Sequence, residues 1–219
     1  MSDLRVLQYV GSGPAAERRK AFECAVVERL ANYMCQAFVL NARTGSAKHP
    51  FAEALAREPW DLAILSENQA ADADFHPLAE TDLVLIVRGG LQINSLEDAE
   101  RLGAPIAVNA GYPADRILSR RVPPPLLVRV TEFGEEIELL HSKRADVLAL
   151  ARYHAQKLVD NEPAWRIAPR PFGAHRHGLA TRAGSSLGES TRVFIGMAKQ
   201  SGELEMLRRA AGYDGATIA

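Results

Sequence analysis

The sequence has little cysteine and no long apolar run. Only two of its 219 residues are cysteine, Cys24 and Cys35, and they do not have the spacing of a metal site. Both lie in or beside one predicted helix, about 16 Å apart unless that helix ends before Cys35, so we expect reduced core thiols and no disulfide. No apolar segment approaches the length needed to span a bilayer, which predicts a chain without direct membrane insertion.

Neither sign of charge is in surplus. The chain has 26 lysines and arginines against 27 acidic residues, a formal net charge of −1. A surface for nucleic acid or an anionic membrane needs a basic surplus, so we expect no nucleic-acid partner. Hydrophobic residues make up 47% of the chain, which is ordinary for a globular protein with a core of its own.

The common motifs of covalent and phosphoryl-transfer chemistry are missing as well. The sequence has no nucleophile elbow, no P-loop and no G-x-G-x-x-G loop. His175 and His177 would share one face of a strand, as metal ligands do, but no third ligand is evident. We therefore predict no catalytic residue, no cofactor and no metal.

The sequence does contain an alternation of short apolar strands and amphipathic helices. Strands are predicted over Leu4–Val10, Gln36–Leu40 and Trp60–Leu65, with helices over Ala15–Met34 and Pro50–Glu58 between them. This βαβαβ order predicts a parallel sheet with right-handed crossovers.

A second set of elements follows a polar, aspartate-rich link and the apolar run Asp82–Val87. Ser95 is predicted to cap a short helix, with Asp98 three residues later. Further strands are predicted over Pro105–Val108, Leu126–Thr131 and Ala145–Leu150, and one long final helix over Leu187–Ala211.

This order of elements predicts an α/β fold of two lobes. The first lobe would contain residues 1–87 and 174–219, and the second, residues 88–173, would be inserted into it. Each lobe is expected to be a mostly parallel sheet flanked by helices, with a ligand cleft between the lobes.

The stretch Ala104–Leu118 is the first candidate for ligand binding. Its strand, Pro105–Val108, is broken by the segment Asn109–Gly111, and Pro113 stands where the first turn of a helix accepts proline. Backbone N–H groups at such a turn and the helix dipole favour an anionic ligand group. Every βα unit has a turn of this kind, so an ordinary structural turn is the competing interpretation.

The other candidates are polar or glycine residues at the ends of predicted strands, where ligands of open α/β sheets bind. Each has a structural alternative, namely a tight turn, a helix cap or a surface salt bridge. The predicted ligand-binding residues are Gly11, Ser12, Ser66, Asn109, Gly111, Tyr112, Thr131 and Arg152.

Several segments resemble, in order and spacing, the family 3 extracellular solute-binding proteins of bacterial ABC transporters. These segments are Phe51–Ile64, Leu83–Gly103, Pro105–Gly111, Lys143–Leu150, Glu162–Ile167, His177–Gly184, Met197–Gly202 and Ala210–Gly215. The resemblance implies a two-lobed fold of the type 2 periplasmic-binding-protein kind. It also implies capture of a small solute by hinge closure, as the substrate-binding component of an ABC-type uptake system with a permease as partner.

Two departures from the family pattern bear on the ligand. Members that bind amino acids carry an arginine shortly after the serine that ends the third strand, and none follows Ser66 here. They also carry a second acid a few residues after the counterpart of Asp146, where this chain has Leu150–Arg152. The departures disfavour an α-amino acid, and we expect a polar, anionic solute instead.

Two alternatives share the same fold. One is a cytoplasmic enzyme, a lyase resembling chorismate dehydratase, which the lack of an obvious acid–base pair opposes. The other is a ligand-sensing domain like that of LysR-type regulators. The N-terminus has no basic segment followed by an apolar one, which predicts a cytoplasmic chain, or a periplasmic one if a leader has been removed.

Overall fold

The computed structural model describes residues 3–10, 14–44, 55–70, 72–132 and 134–219. The predicted site residues Gly11 and Ser12, and the first part of the helix predicted over Pro50–Glu58, lie outside these ranges. The chain divides into two compact units. Unit 1 consists of residues 1–45, 49–80 and 176–219, and unit 2 consists of residues 46–48 and 81–175.

The described elements alternate between strands and helices, with both ends of the chain in unit 1. The strands are β1 (Leu4–Val10), β2 (Phe38–Thr44), β3 (Leu62–Ser66), β4 (Ala73–Arg88), β5 (Ile106–Asn109), β6 (Leu127–Val130), β7 (Val147–Ala151), β8 (Trp165–Ile167), β9 (Gly173–Arg182) and β10 (Thr217–Ile218). The helices are α1 (Pro14–Tyr33), α2 (Leu96–Arg101), α3 (Pro113–Leu118), α4 (Glu135–His141), α5 (Arg152–Asn161), α6 (Ser186–Gln200) and α7 (Glu203–Ala210). No helix in this part of the chain is long and apolar enough to cross a bilayer.

The sheet of unit 1 is built on three parallel strands in the order β2-β1-β3. The unit 1 part of β9 runs antiparallel to β3, with His177 opposite Ser66. The first half of β4 follows β9, and β10 pairs antiparallel with it at Ala79 and Glu80. The predicted parallel βαβαβ set is therefore completed by strands from the later part of the chain.

The polar link predicted before Asp82 belongs to β4, so that prediction is wrong. Buried residues alternate with less buried ones through this segment, and His76 and Leu78 face the interior. A half-buried strand shows a period of two whatever its polar residues are. The acidic residues on the outer positions concealed this period.

The final helix was predicted as one element, but the structure contains two. Gly202 has a φ of 77°, in the left-handed region that ends helices, and it separates α6 from α7.

Cys35 also departs from expectation. It is exposed, because α1 ends at Tyr33, whereas Cys24 is half-buried and both thiols are free.

The sheet of unit 2 has the strand order β4-β7-β5-β6, of which β5, β6 and β7 are parallel and β4 is antiparallel to β7. Leu83, Leu85 and Val87 pack into a cluster with Ile106 and Val108. Val84 and Ile86 pack into a second cluster with Ala107 and Leu148. Both faces of the sheet are therefore covered, which explains the uninterrupted apolar run in β4.

A buried polar network connects the sheet of unit 1 to α1. The network consists of four residues that are each at most 1% exposed, namely Gln8, Glu23, His177 and Tyr213. Gln8 Nε2 donates to Glu23 Oε2 at 3.0 Å, and His177 Nδ1 lies 2.9 Å from Glu23 Oε1. His177 Nε2 and Tyr213 Oη are 3.0 Å apart. His177 thus belongs to a network with a carboxylate and a phenol.

Glu23 is held in its ionised form by these neighbours. Burial alone would raise the pKa of Glu23, but Arg19, His177 and Gln8 together lower it below the ordinary value of 4.5. Because the pKa is lower in the folded state, ionised Glu23 contributes stability above about pH 4.5, and this contribution is lost as the pH falls through the folded pKa.

We expect Glu23→Gln to lower the free energy of unfolding by about 3 kcal/mol near neutral pH, because it leaves His177 and Arg19 without their anion. The difference from the wild type should shrink in acid, where Glu23 itself becomes protonated. Urea denaturation of both proteins across the acidic range measures this. A difference that is constant with pH would contradict the assignment of Glu23 as an ionised group.

Gly178 allows β9 and β4 to approach each other. A Cβ at this position would overlap the carbonyl oxygen of His76 and lie 2.9 Å from the Cα of Pro77. Both neighbours are backbone atoms of a strand and cannot rotate away. Gly196 in α6 is the matched opposite case, because a Cβ there meets nothing within 4 Å.

Gly178→Ala is therefore expected to destabilise the protein by about 3 kcal/mol through backbone displacement. Gly196→Ala should stabilise it by up to about 1 kcal/mol, because alanine has the higher helix propensity. Thermal and urea unfolding of both variants check the pair. Equal effects of the two substitutions would show that the β9–β4 approach is not constrained at Gly178.

Candidate ligand-binding site

Five of the predicted binding residues gather at one edge of unit 2. Strands β5, β6 and β7 are parallel, so their carboxyl ends lie at the same edge of the sheet. Asn109 ends β5, Thr131 follows β6 and Arg152 follows β7. Because β5 lies between the other two strands, Thr131 and Arg152 are about two strand spacings apart, roughly 10 Å. This is the kind of edge at which ligands of open α/β sheets bind.

Asn109 is turned inward. It is buried, and its Nδ2 donates at 3.4 Å both to the carbonyl of Glu132 and to Glu136 Oε2. Its Oδ1 is buried without a hydrogen-bond partner among the described residues. The amide therefore connects the end of β5 to α4, and a direct contact between this side chain and a ligand remains a prediction.

The turn at Gly111 already binds a carboxylate, and that carboxylate belongs to the chain. Gly111 has a φ of 77°, and its N–H donates to Asp115 Oδ2 at 2.9 Å. Arg129 Nε donates to Asp115 Oδ1 at 2.8 Å. The predicted position for a ligand anion at the start of α3 is thus filled by Asp115, which is buried.

Sequence reasoning missed Asp115, although a signal was present. Asp115 is the third residue of a helix that begins with Pro113. An acidic residue at this position commonly reaches back to a backbone N–H in front of the helix. Tyr112, in the same turn, is half-buried at the start of α3.

Arg152 and Thr131 remain accessible to a ligand. Arg152 Nε donates to Asp82 Oδ2 at 2.9 Å, and the arginine side chain is 34% exposed. Its Nη1 and Nη2 groups make no hydrogen bond to any of the described residues. Asp82 thus orients the guanidinium while its outer edge keeps two donor groups in the geometry that binds a carboxylate or phosphate. Thr131 is exposed.

Ser66 lies in unit 1, where it ends β3 and precedes a 3₁₀ turn, Glu67–Gln69. Its backbone N–H donates to Gln69 Oε1 at 3.0 Å, which places the serine in a capped turn. Sequence reasoning missed a cation near this turn. Arg176 of β9 forms an ion pair with Glu67, in which Nε lies 3.0 Å from Oε2. The same Nε lies 3.6 Å from Glu80 Oε2.

The described residues contain no cluster of three or more histidine, cysteine or acidic side chains that could hold a metal ion. A buried carboxylate of unit 2, that of Glu136, is held by hydrogen bonds. Glu136 accepts from the N–H of Gly134 at 2.9 Å as well as from Asn109. Burial raises the pKa of Glu136 above the ordinary value of 4.5, against these hydrogen bonds, which lower it.

A raised pKa in the folded state means that ionised Glu136 costs stability at neutral pH, and this cost disappears in acid, where the carboxyl is protonated in both states. Glu136→Gln keeps an acceptor for Gly134 and removes the ionisation. We expect it to be at least as stable as the wild type near neutral pH and to lose this advantage in acid. Urea denaturation of the variant and the wild type at neutral and at acidic pH measures the difference in their free energies of unfolding. A strong loss of stability at neutral pH would instead make the carboxylate a required acceptor.

Several solved structures are similar to this chain in fold. The ligand-binding core of GluR0 in complex with L-glutamate matches with a TM-score of 0.76 and 15% identity, over 96% of this chain and 98% of that one. A histidine kinase sensor domain with similarity to periplasmic binding proteins matches with a TM-score of 0.74 and 18% identity, over 99% and 98%. The substrate-binding protein of an amino acid ABC transporter matches with a TM-score of 0.67 and 16% identity, over 94% and 97%.

The chain has a type 2 periplasmic-binding-protein-like fold. The fold implied by the sequence resemblance is thereby confirmed, and each match covers nearly the full length of both chains. No protein-family model matches the sequence, and no curated protein matches it at a significant level. Because the sequence identities are below 20%, these matches establish the fold and do not identify a ligand.

Proposed function

We propose that this protein binds a small polar solute through the carboxyl edge of unit 2, with an anionic group of the solute on Arg152. The observation that carries the proposal is the near-complete match in fold to proteins described as ligand-binding or substrate-binding, including one in complex with L-glutamate. Ligand binding is the activity that these proteins have in common.

The residues at this edge suit a solute of about amino-acid size. The free edge of the Arg152 guanidinium would bind an oxyanion through two hydrogen bonds. The Gly111–Tyr112 turn and the Thr131 hydroxyl lie on the neighbouring strand ends, within roughly 10 Å. Asp115 fills the anion position at α3, so Arg152 is the group that favours an anion here.

We further propose that the chain acts as the substrate-binding component of an ABC-type uptake system. A second candidate is a ligand-sensing domain, which the match to the histidine kinase sensor domain favours. Once a ligand is known, its uptake by cells with and without the protein separates the two. Reduced uptake supports the transport role, and unchanged uptake with a lost transcriptional response supports sensing.

A thermal-shift screen against organic carboxylates, phosphonates, amines and amino acids should find its strongest stabilisation among the anions. A ligand at one hundred times its Kd adds about 2.7 kcal/mol of stability. Arg152→Gln should then weaken binding of the best anion by about tenfold or more, because it removes charged hydrogen bonds.

Arg101→Gln is the matched control. Arg101 is likewise an arginine whose guanidinium binds one aspartate, Asp98, but it lies in α2, which precedes β5 in the chain. Its loss should leave the affinity unchanged. The proposal fails if Arg152→Gln and Arg101→Gln behave alike, or if only amines stabilise the protein.

A further inference from the structure

The side-chain oxygen of Asn109 has no hydrogen-bond donor within the described part of the chain. Asn109 is 7% exposed, and its Oδ1 is buried without a partner. Buried side-chain oxygens in proteins are nearly always hydrogen-bonded, because an acceptor that is removed from water and left without a donor destabilises the fold. Asn109 therefore offers an acceptor that its own surroundings do not fill.

The other half of the same amide fixes its orientation. Asn109 Nδ2 donates to the carbonyl oxygen of Glu132 and to Glu136 Oε2, at 3.4 Å in both cases. A rotation that exchanged Nδ2 and Oδ1 would place an oxygen against the carbonyl of Glu132, which cannot donate. The amide is thus held with its oxygen on the side away from these two acceptors.

The strand order places this oxygen on the side of Arg152. Strand β5, which ends at Asn109, lies between β6 and β7, and Glu132 follows β6. Because Nδ2 reaches toward the β6 side, Oδ1 is directed away from β6 and toward the β7 side. Arg152 follows β7, which is the parallel neighbour of β5 at a spacing of about 5 Å.

Asn109 and Arg152 also lie on the same face of the sheet. Side chains two residues apart in a strand share a face, so Asn109 lies on the face of Ala107. Ala107 packs in one cluster with Leu139 of α4 and Ala155 of α5, and Arg152 is the first residue of α5. A solute whose oxyanion is bound by Arg152 is therefore close to the unfilled acceptor of Asn109.

The surroundings of Oδ1 favour a neutral donor over a cationic one. An ammonium group here would lie beside the guanidinium of Arg152 and near the N-terminus of the ten-residue helix α5, and both oppose a second positive charge. The carboxylate of Glu136 is on the other side of the amide, where it also accepts from the N–H of Gly134. A hydroxyl group donates a hydrogen bond and carries no charge.

We infer that Asn109 determines the specificity of this site by accepting a hydrogen bond from a hydroxyl group on the carbon next to the oxyanion of the solute. The solute class is thereby narrowed to hydroxylated organic acids, with the oxyanion on Arg152 and the hydroxyl on Asn109. The inference rests on the proposed function, because Arg152 has to hold the oxyanion.

Calorimetric titration of the whole chain with lactate, isobutyrate and alanine tests the inference. These carboxylates differ only in one group on the adjacent carbon, which is a hydroxyl, a methyl or an ammonium group. Lactate should bind about fivefold or more tightly than either of the others, because only its hydroxyl fills Oδ1 without adding a charge. Hydroxymethylphosphonate and ethylphosphonate repeat the comparison of hydroxyl with methyl for a phosphonate oxyanion.

Two alanine variants locate the effect. Asn109→Ala should bring the ratio of the lactate and isobutyrate affinities to about one. Asn161→Ala is the matched control, because Asn161 is an exposed asparagine at the last position of α5, roughly 14 Å along the helix from Arg152, and it should leave the ratio unchanged. The ratio is the measured quantity, because damage to the fold would weaken both solutes alike.

Arg152→Gln should weaken lactate and isobutyrate by the same factor, so that failure of the proposed function and failure of this inference can be told apart. The inference is overturned if neither hydroxylated acid binds at millimolar concentration, whereas the proposed function fails only if no anion binds. It is also overturned if isobutyrate or alanine binds as tightly as lactate and ethylphosphonate as tightly as hydroxymethylphosphonate, or if Asn109→Ala keeps the wild-type ratio. The comparison of solutes uses the wild type alone and holds even if Asn109→Ala does not fold.

Discussion

Unit 1 depends on the burial of one carboxylate, that of Glu23. A buried carboxylate is tolerated only when charged and hydrogen-bonded partners surround it. Here the partners come from three elements: Gln8 from β1, Arg19 from α1 itself and His177 from β9. Because these partners converge on the same two oxygens, they hold α1 against β1 and β9. The same contacts fix β9 beside β3, and Tyr213 supports His177 from the C-terminal segment.

Much of the fold could be predicted because apolar periodicity and local signals agreed. Short apolar runs became strands, Ser95 caps α2 by accepting from the N–H of Asp98, and Pro113 begins α3. The predictions that were wrong share one cause, because they concern features that depend on contacts between distant parts of the sequence. The polar start of β4 is a strand because β9 and β10 pair with it. The spacing of His177 from His175 suggests a metal ligand, whereas the observed partners of His177, Glu23 and Tyr213, are distant in sequence.

The site was less predictable than the fold. The strand ends at Asn109, Thr131 and Arg152 follow from the βα order, and the structure brings them to one edge. What each side chain does there depends on neighbours that the sequence does not place. Asn109 turns toward Glu136 of α4, and Asp115 fills the anion position that a free turn would have offered. Arg152 keeps donors free because Asp82, on a different strand, binds only Nε.

Unit 1 contains both the beginning and the end of the described chain, and this has a consequence during protein synthesis. Residues 81–175 are nearly all of unit 2 and emerge from the ribosome as one continuous piece. At that stage α1 has been made, but His177 has not, and Glu23 lacks the partner that makes its burial tolerable. The apolar face of α1, which includes Phe22 and Leu30, is therefore not fully covered until residues 176–219 have been made. We therefore expect unit 1 to complete its folding only after residues 176–219 have been translated.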